Sequence, residues 1–296
     1  LTASPYLSTA MMAATALNKL GSAEQKADNY PGLISGHLLI SLAVDEGRKH
    51  RPASIKMKAT RSGNGFKLNG SKTFVADGQI ADKLIVVART TSEPGDTNGI
   101  TLFLVDANAA GIERSKTPMV DSRGYAKIDF NDVDVTADAV LGEVDEGYTG
   151  LETIMNAGRA GLAAEMTGSA SQAFTMAMNY INERKQFGVP VGSFQALQHR
   201  AAHLYTEIEM ATAVLLSALQ ALDDNADNAS RLVSLAKAKA GQVALLAAQE
   251  GIQLHGGMGM TDAFDIGLYL KRIKVAGEML GDASYHGDRL ACDLGY

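Results

Sequence analysis

The chain has 296 residues, of which 46% are hydrophobic and 20% charged, and its net charge is −6. That length suggests two or three folding units with ample core, and the acidic balance gives no electrostatic case for nucleic acid, whose binding needs basic surface. The one cysteine, Cys292, excludes an internal disulfide framework or a cysteine-based zinc cluster, and it fits a reducing, cytoplasmic compartment. No apolar run approaches the roughly 20 residues that span a bilayer. The chain opens at Leu1 without a methionine or a basic leader, and is expected to begin inside a larger protein.

Residues 1–35 read as helices and turns. Gly21-Ser22 ends a first apolar run, Ala23-Glu24-Gln25-Lys26 starts a helix, and Tyr30-Pro31-Gly32 reads as its stop. The piece is too short to bury its own apolar face and must pack on something else. Residues 36–147 carry short β-branched and aromatic runs: 38–44, 55–60, 65–68, 73–76, 83–88, 101–105, 126–130 and 133–135. Asn69-Gly70 and Asp77-Gly78 are among the turn signals between them. An antiparallel β domain is expected, as a barrel or sandwich.

Residues 148–296 turn helical, with helices expected over about 149–183, 194–222, 229–254 and 262–278, then a short last one after Gly281. The expected architecture is therefore α+β: the end of a helical domain (1–35), a middle β domain (36–147) and an antiparallel four-helix bundle (148–296). Within the bundle stands Gln253-Leu254-His255-Gly256-Gly257-Met258-Gly259-Met260-Thr261-Asp262. Its glycines fall where a helix must end, and Asp262 reads as the N-cap of the next helix. His255 reads as a packed loop residue. The pair His199/His203 has helical i, i+4 spacing, but no third ligand is suggested and no metal is expected.

This order, with its motifs, resembles the acyl-CoA dehydrogenase family of flavoproteins. The motifs are Gly21-Ser22-Ala23-Glu24-Gln25-Lys26, Gly65 to Phe74, Glu183-Arg184-Lys185-Gln186-Phe187-Gly188 with Gln195 and Gln198, and Gln253-Leu254-His255-Gly256-Gly257. The resemblance covers nearly the whole chain, most of the family's N-terminal helical domain excepted. It implies FAD as cofactor, held by Arg184, Phe187, Gln195, Gln253, Gly256 and Gly257, in the family across two subunits. Arg184 offers a fork for phosphate oxygens, and the glutamines offer amide donors. Phe74, Val75 and Ala76 look like the segment beside the flavin ring, although Ala76 lacks the hydroxyl usual there.

The implied reaction is α,β-desaturation of an acyl-CoA thioester, in fatty acid or steroid side-chain catabolism, with electron-transfer flavoprotein as acceptor. It needs a carboxylate base. The family's usual base stands 27 residues after the motif glutamine, which here is Leu280. A minority carry it before an arginine that looks like Arg159, implied to meet substrate, but Gly158 stands there. Asp282 is the nearest candidate, although the family often uses that position to touch FAD, and a helix N-cap is an equal alternative to either role. Glu278 reads as solvated, and Glu165 as a carboxylate needing a partner. The loop Val44 to Pro52, with Arg48, Lys49, His50 and Arg51, either meets CoA phosphates or is solvated. Two alternatives to the enzyme stand: a base-less, FAD-supporting partner subunit, and a non-enzymatic helical scaffold. A homo- or hetero-oligomer, dimer or tetramer, is implied, with Leu215, Leu216, Leu219, Leu235, Leu245 and Leu246 packing between subunits.

Overall fold

A computed structural model describes all 296 residues. The chain divides into two compact units, residues 3–158 and residues 159–296 with Leu1–Thr2. The boundary falls inside one continuous helix, α3 (Gly147–Glu183).

The first unit opens on a π-helical turn (Tyr6–Ala13) that runs into α1 (Ala14–Leu20), followed by α2 (Ala23–Ser35). Ser22 and Gln25 form a capping box at the start of α2: the Ser22 hydroxyl accepts from Gln25 N (3.1 Å), and Gln25 Oε1 accepts from Ser22 N (3.1 Å). The Gln25 amide also donates to the carbonyls of Asp138 (2.8 Å) and Val140 (3.0 Å). One side chain thus starts the helix and ties it to the far end of the unit. Pro31 does not stop α2 as its sequence suggests. The helix ends at Gly36, whose φ of +75° supplies the left-handed cap.

Seven strands follow: β1 (Ile40–Ala43), β2 (Lys58–Ser62), β3 (Gly65–Ala76), β4 (Lys83–Arg89), β5 (Ile100–Asp106), β6 (Ile112–Thr117) and β7 (Tyr125–Val135). They form one curled sheet in the order β1-β4-β2-β3-β7-β6, with β5 also on β4. Most pairings are antiparallel, as expected, and the exceptions are β1 and β2, which both pair parallel to β4. β4 is buried from Leu84 to Ala88, as a central strand covered on both faces should be. Asn69-Gly70 is not a turn but an irregularity inside β3. Gly70 has a φ of +148°, and a Cβ there would stand 2.8 Å from Met57 Cγ, so the residue must be glycine for Met57 to pack. β6 was not expected because Ile112-Glu113-Arg114-Ser115-Lys116-Thr117 has one apolar residue; it is the sheet's edge, where charge discourages further pairing.

In the second unit α3 leads into a two-residue ladder, β8 (Lys185–Gln186) with β9 (Val189–Pro190). Then come α4 (Gln195–Asp223), α5 (Ala229–Leu254), α6 (Ile266–Glu278) and α7 (Ala283–Asp293). α5 packs against α4, α6 and α7 and is the axis of the unit. Its alanines at 236, 240, 244, 247 and 248 are buried, and small side chains at helical spacing let its neighbours approach. Asp262 does not cap the next helix: after a 3₁₀ turn (Gly256–Met260) it lies among turns and bends at residues 261–265, and α6 starts at Ile266 after Asp265.

Replacing Ser22 with alanine removes one cap and should cost about 1 kcal/mol. Gln25→Ala removes the reciprocal cap and two long-range bonds, and should cost about 2 kcal/mol or more by urea unfolding. Equal losses for the two variants would contradict the tying role of Gln25.

Candidate functional site

The segment expected beside a flavin ring lies at the end of β3. Pairing with β7 slips between Lys72 and Val75, and Phe74 takes a φ of +52°. Val75 is buried, while the Phe74 ring is 43% exposed. A bulky residue in the left-handed region costs about 1–3 kcal/mol, so its surroundings must hold it. Thr73 N donates to the Asp45 carbonyl (2.7 Å). Next to it the fully buried Lys72 ammonium donates to Glu46 Oε1 (2.7 Å) and the Val44 carbonyl (3.0 Å). Glu46 also accepts from Lys56 N (2.7 Å) and Met57 N (3.0 Å). Burial pulls the Lys72 pKa down, and Glu46 opposes that pull.

The loop 44–52 is therefore not a free basic cluster. Asp45 pairs with His50 at 2.8 Å and Glu46 with Lys72, leaving Arg48, Lys49 and Arg51 exposed. Sequence reasoning missed this footing, although Lys72 on an otherwise apolar strand face was the available signal.

In the helical unit, Arg184 directly follows α3. Phe187 and Gly188 join β8 to β9 with φ of +54° and +83°, the pattern of a type I′ hairpin. The hairpin holds the Phe187 ring 90% exposed, edge-on to Phe194 at 6.3 Å between centroids. Arg184 is exposed, and no ion pair engages it. Gln195, the first residue of α4, is exposed, and so is Gln253 near the end of α5. One apolar cluster supports all of these: Ala177 and Ile181 of α3, Leu254 of α5, and around them Met178, Tyr180, Val191 and Leu197. The structure thus brings Arg184, Phe187, Gln195, Gln253, Gly256 and Gly257 to one end of the bundle. Phe74, Val75 and Ala76 belong to the other unit.

The glycines of the joint are not alike. A Cβ on Gly259 would stand 2.5 Å from the Ile252 carbonyl oxygen, so this chain's own packing demands glycine. A Cβ on Gly256 or Gly257 would meet no atom of this chain within 4 Å. Gly256 needs its φ of +59°, but nothing inside the chain requires Gly257. An open cradle beside exposed amide, guanidinium and aromatic groups fits a flat, phosphate-bearing cofactor. His255, by contrast, is buried. Its Nδ1 lies 2.7 Å from the Gly251 carbonyl, and its ring stacks on Tyr180 at 4.5 Å. The exposed His199 and His203 gain no third ligand, and no cluster suited to a metal is present.

The turn between α6 and α7 holds Leu280, the position that the resemblance implies for a base. Leu280 is buried with a φ of +54°, and Gly281 follows at +101°. Asp282 is exposed and caps α7, its Oδ1 accepting from Tyr285 N (2.7 Å). Arg159 is not open to a ligand, as the resemblance implied. It is fully buried, and its Nε donates to the Leu280 carbonyl (3.3 Å). His286 Nε2 lies 3.2 Å from the same oxygen. A carbonyl only accepts, so Nε2 carries the proton. Burial, then Arg159, Lys237 and Arg289, push the His286 pKa down to about 2, so the ring stays neutral. Lys237 donates to the carbonyls of Gly277 (2.9 Å) and Gly281 (3.0 Å). Burial, then Arg159, lower its pKa to about 7, against Glu278 and Asp282. Glu165 is paired: Arg272 of α6 grips both its oxygens, at 2.7 and 2.6 Å. Glu278 is exposed.

Residues 45–135 match the acyl-CoA dehydrogenase middle domain, and residues 145–294 match the acyl-CoA dehydrogenase C-terminal domain. The chain is 31% identical to the mitochondrial short/branched chain specific acyl-CoA dehydrogenase of Rattus norvegicus, over 88% of this chain and 62% of that protein. It is also 31% identical to the caffeyl-CoA reductase-Etf complex subunit CarC of Acetobacterium woodii, over 92% of this chain and 70% of that one. The crystal structure of butyryl-CoA dehydrogenase from Megasphaera elsdenii superposes with a TM-score of 0.92 at 26% identity, over 97% of this chain and 76% of that one. This chain belongs to the acyl-CoA dehydrogenase family, which indicates FAD as its cofactor. It spans about three fifths of the length of the rat relative.

Glu46→Ala leaves the buried Lys72 unpaired and should cost about 3–5 kcal/mol in urea unfolding. Adding Lys72→Met should recover part of that loss; no recovery would contradict the pairing. For Lys237 the folded pKa lies below the unfolded one. Its penalty is therefore full below about pH 7 and is relieved as pH rises toward 10.5. Wild type should gain on Lys237→Met across that window, by at most about 1.4 kcal/mol per pH unit. A pH-independent difference in thermal unfolding would contradict the assignment.

Proposed function

We propose that this chain is the flavin-holding part of an enzyme that desaturates acyl-CoA thioesters between Cα and Cβ. The observation that carries the reading is the end of the bundle where Arg184, Phe187, Gln195, Gln253 and the open Gly256-Gly257 cradle share one apolar footing. Arg184, Gln195 and Gln253 would hold the pyrophosphate side of FAD, with backbone N–H groups of the glycines beside them. Phe187 would offer its exposed ring to the cofactor of a second subunit. Phe74, Val75 and Ala76 of the β unit are the proposed contacts of the flavin ring. FAD, when bound, supplies the hydride acceptor for the β hydrogen. Asp282 is the proposed base that takes the α proton from the thioester. Arg159 holds the turn on which Asp282 stands. The three-part division at residues 35 and 147 belongs to the same proposal, as does a cytoplasmic location.

A second reading rests on one specific observation. Leu280 and Gly158 fill both of the family's base positions, and Asp282 already caps α7. In that reading the chain is a base-less subunit that supports FAD beside a catalytic partner. The third alternative, a helical scaffold without cofactor, is disfavoured by family membership and by the cradle that a Cβ would leave open.

We also propose an oligomer, a dimer or a dimer of dimers, and an electron-transfer flavoprotein as acceptor. CarC, by its name, is a subunit of a reductase-Etf complex. Leu216 of α4 and Leu235 of α5 are well exposed, as subunit-facing residues should be, with Leu219, Leu245 and Leu246 half-buried. Leu215 is not available for that role because it packs in this chain's own core.

The purified flavin-loaded protein, mixed anaerobically with a panel of acyl-CoA thioesters, should lose its flavin absorbance with at least one of them. Asp282→Asn should then slow bleaching by about 100-fold or more with FAD content unchanged. No bleaching by any thioester, restored by adding a partner subunit, would favour the base-less reading.

A further inference from the structure

The turn between α6 and α7 has an unusual support. A helix end leaves carbonyls without intrahelical partners, and burial makes each of them costly. Here α6 ends at Glu278, and the chain passes through Leu280 and Gly281, both at positive φ, before Asp282 caps α7. Three helices send one donor each. Arg159 of α3 and His286 of α7 both reach the Leu280 carbonyl. Lys237 of α5 reaches the two carbonyls on either side of it in sequence, Gly277 and Gly281. Lys237 thus bridges the last turn of α6 to the loop beyond it and ties the distance between them.

We propose that Lys237 is a positioning residue: its buried ammonium clamps the Gly277 and Gly281 carbonyls together and so fixes where Leu280 and Asp282 stand. The proposal rests on the reading above only for its consequence, the placing of Asp282; the clamp itself stands on this geometry. Lys237 is 1% exposed, with the buried Val233, Ser234, Ala240 and Ala244 along the same face of α5, so an apolar side chain would fill the same volume. Arg159 on α3 and Arg289 on α7 face this region with positive charge, Glu278 on α6 and Asp282 on α7 with negative charge, and His286 is neutral. Burial and Arg159 both work against a charge on Lys237. An ammonium kept there against its own desolvation is explained by the two carbonyls it joins. The ammonium makes the stronger bonds, but with its pKa lowered to about 7 the neutral amine, which keeps two N–H donors for the two carbonyls, is the easier form to bury, so the clamp persists as pH rises.

The test is hydrogen exchange on the flavin-loaded protein, read by mass spectrometry in peptides covering residues 277–286. At pH 6, Lys237→Met should exchange at least about tenfold faster there than wild type, with peptides of the β sheet unchanged. Corrected for intrinsic rates, wild type at pH 9 should be at least as protected there as at pH 6. Exchange in 277–286 within twofold of wild type at pH 6 would overturn the clamp. Should Lys237→Met not fold, glycine-carbonyl ¹³C NMR of wild type decides. Gly277 and Gly281 should shift together with one midpoint near pH 7, and Gly277→Ala, whose Cβ meets no neighbour, assigns the first signal. Shifts flat from pH 6 to 9 would equally overturn it. Neither readout needs turnover, so a protein that bleaches with no thioester would count against the proposed function and leave the clamp result standing.

Discussion

The carbonyl oxygen of Gly277 lies in the last turn of α6, and those of Leu280 and Gly281 lie between α6 and α7, where the helices leave carbonyls without partners. Arg159, Lys237 and His286 satisfy them from three other points of the bundle. The arrangement inverts the usual logic of a buried cation. Backbone dipoles are partners of these groups, and the low dielectric strengthens each bond while penalising any charge left without one. The turn is therefore held from several sides at once, and that lets a leucine keep a left-handed backbone at residue 280.

The β unit uses the same device. The Arg89 guanidinium at the end of β4 is buried and donates to the carbonyls of Ile55, Ala53, Asp96 and Asn98, fastening two loops that have no sheet partner. Lys72 does it for Val44, with Glu46 as counter-charge, and so supports the bulge that turns Phe74 outward. In both units, then, a segment proposed to meet cofactor or substrate has irregular backbone, and a buried cation holds its footing. The apolar cluster around Ile181 and Leu254 is the complementary case: no charge is needed there, because the hairpin and the start of α4 pack directly on the ends of α3 and α5.

Much of this was legible in the sequence. The long helices show their 3.6 period, β4 shows a continuous apolar run, and the motif residues at Arg184, Phe187 and Gln253 stand at spacings that only the bundle explains. Other parts were hidden for physical reasons. Asn69-Gly70 has the composition of a turn, yet the pressure of Met57 on a missing Cβ makes it a bulge. Pro31 looks like a stop, but it lies inside α2, which continues to Ser35 with one hydrogen-bond donor missing. β6 is too polar for any periodicity to show. Glu165 could be recognised as needing a partner, but Arg272 lies 107 residues away in sequence and is brought near only by packing. Lys237 drew no attention at all, because one lysine in an alanine-rich helix reads as a solvated face until burial is known.

The central claim is that the end of the bundle around Arg184 and Gly256-Gly257 holds FAD. The most direct measurement is the visible spectrum of the protein, purified with any co-expressed subunit and reconstituted with FAD, beside the variant Arg184→Ala. The account predicts a flavin band in wild type and a FAD affinity at least about tenfold weaker in the variant, as loss of a charge-assisted phosphate contact worth about 1.5–3 kcal/mol requires. A wild-type protein that stays colourless after reconstitution, or an Arg184→Ala variant that binds FAD as tightly as wild type, would contradict it.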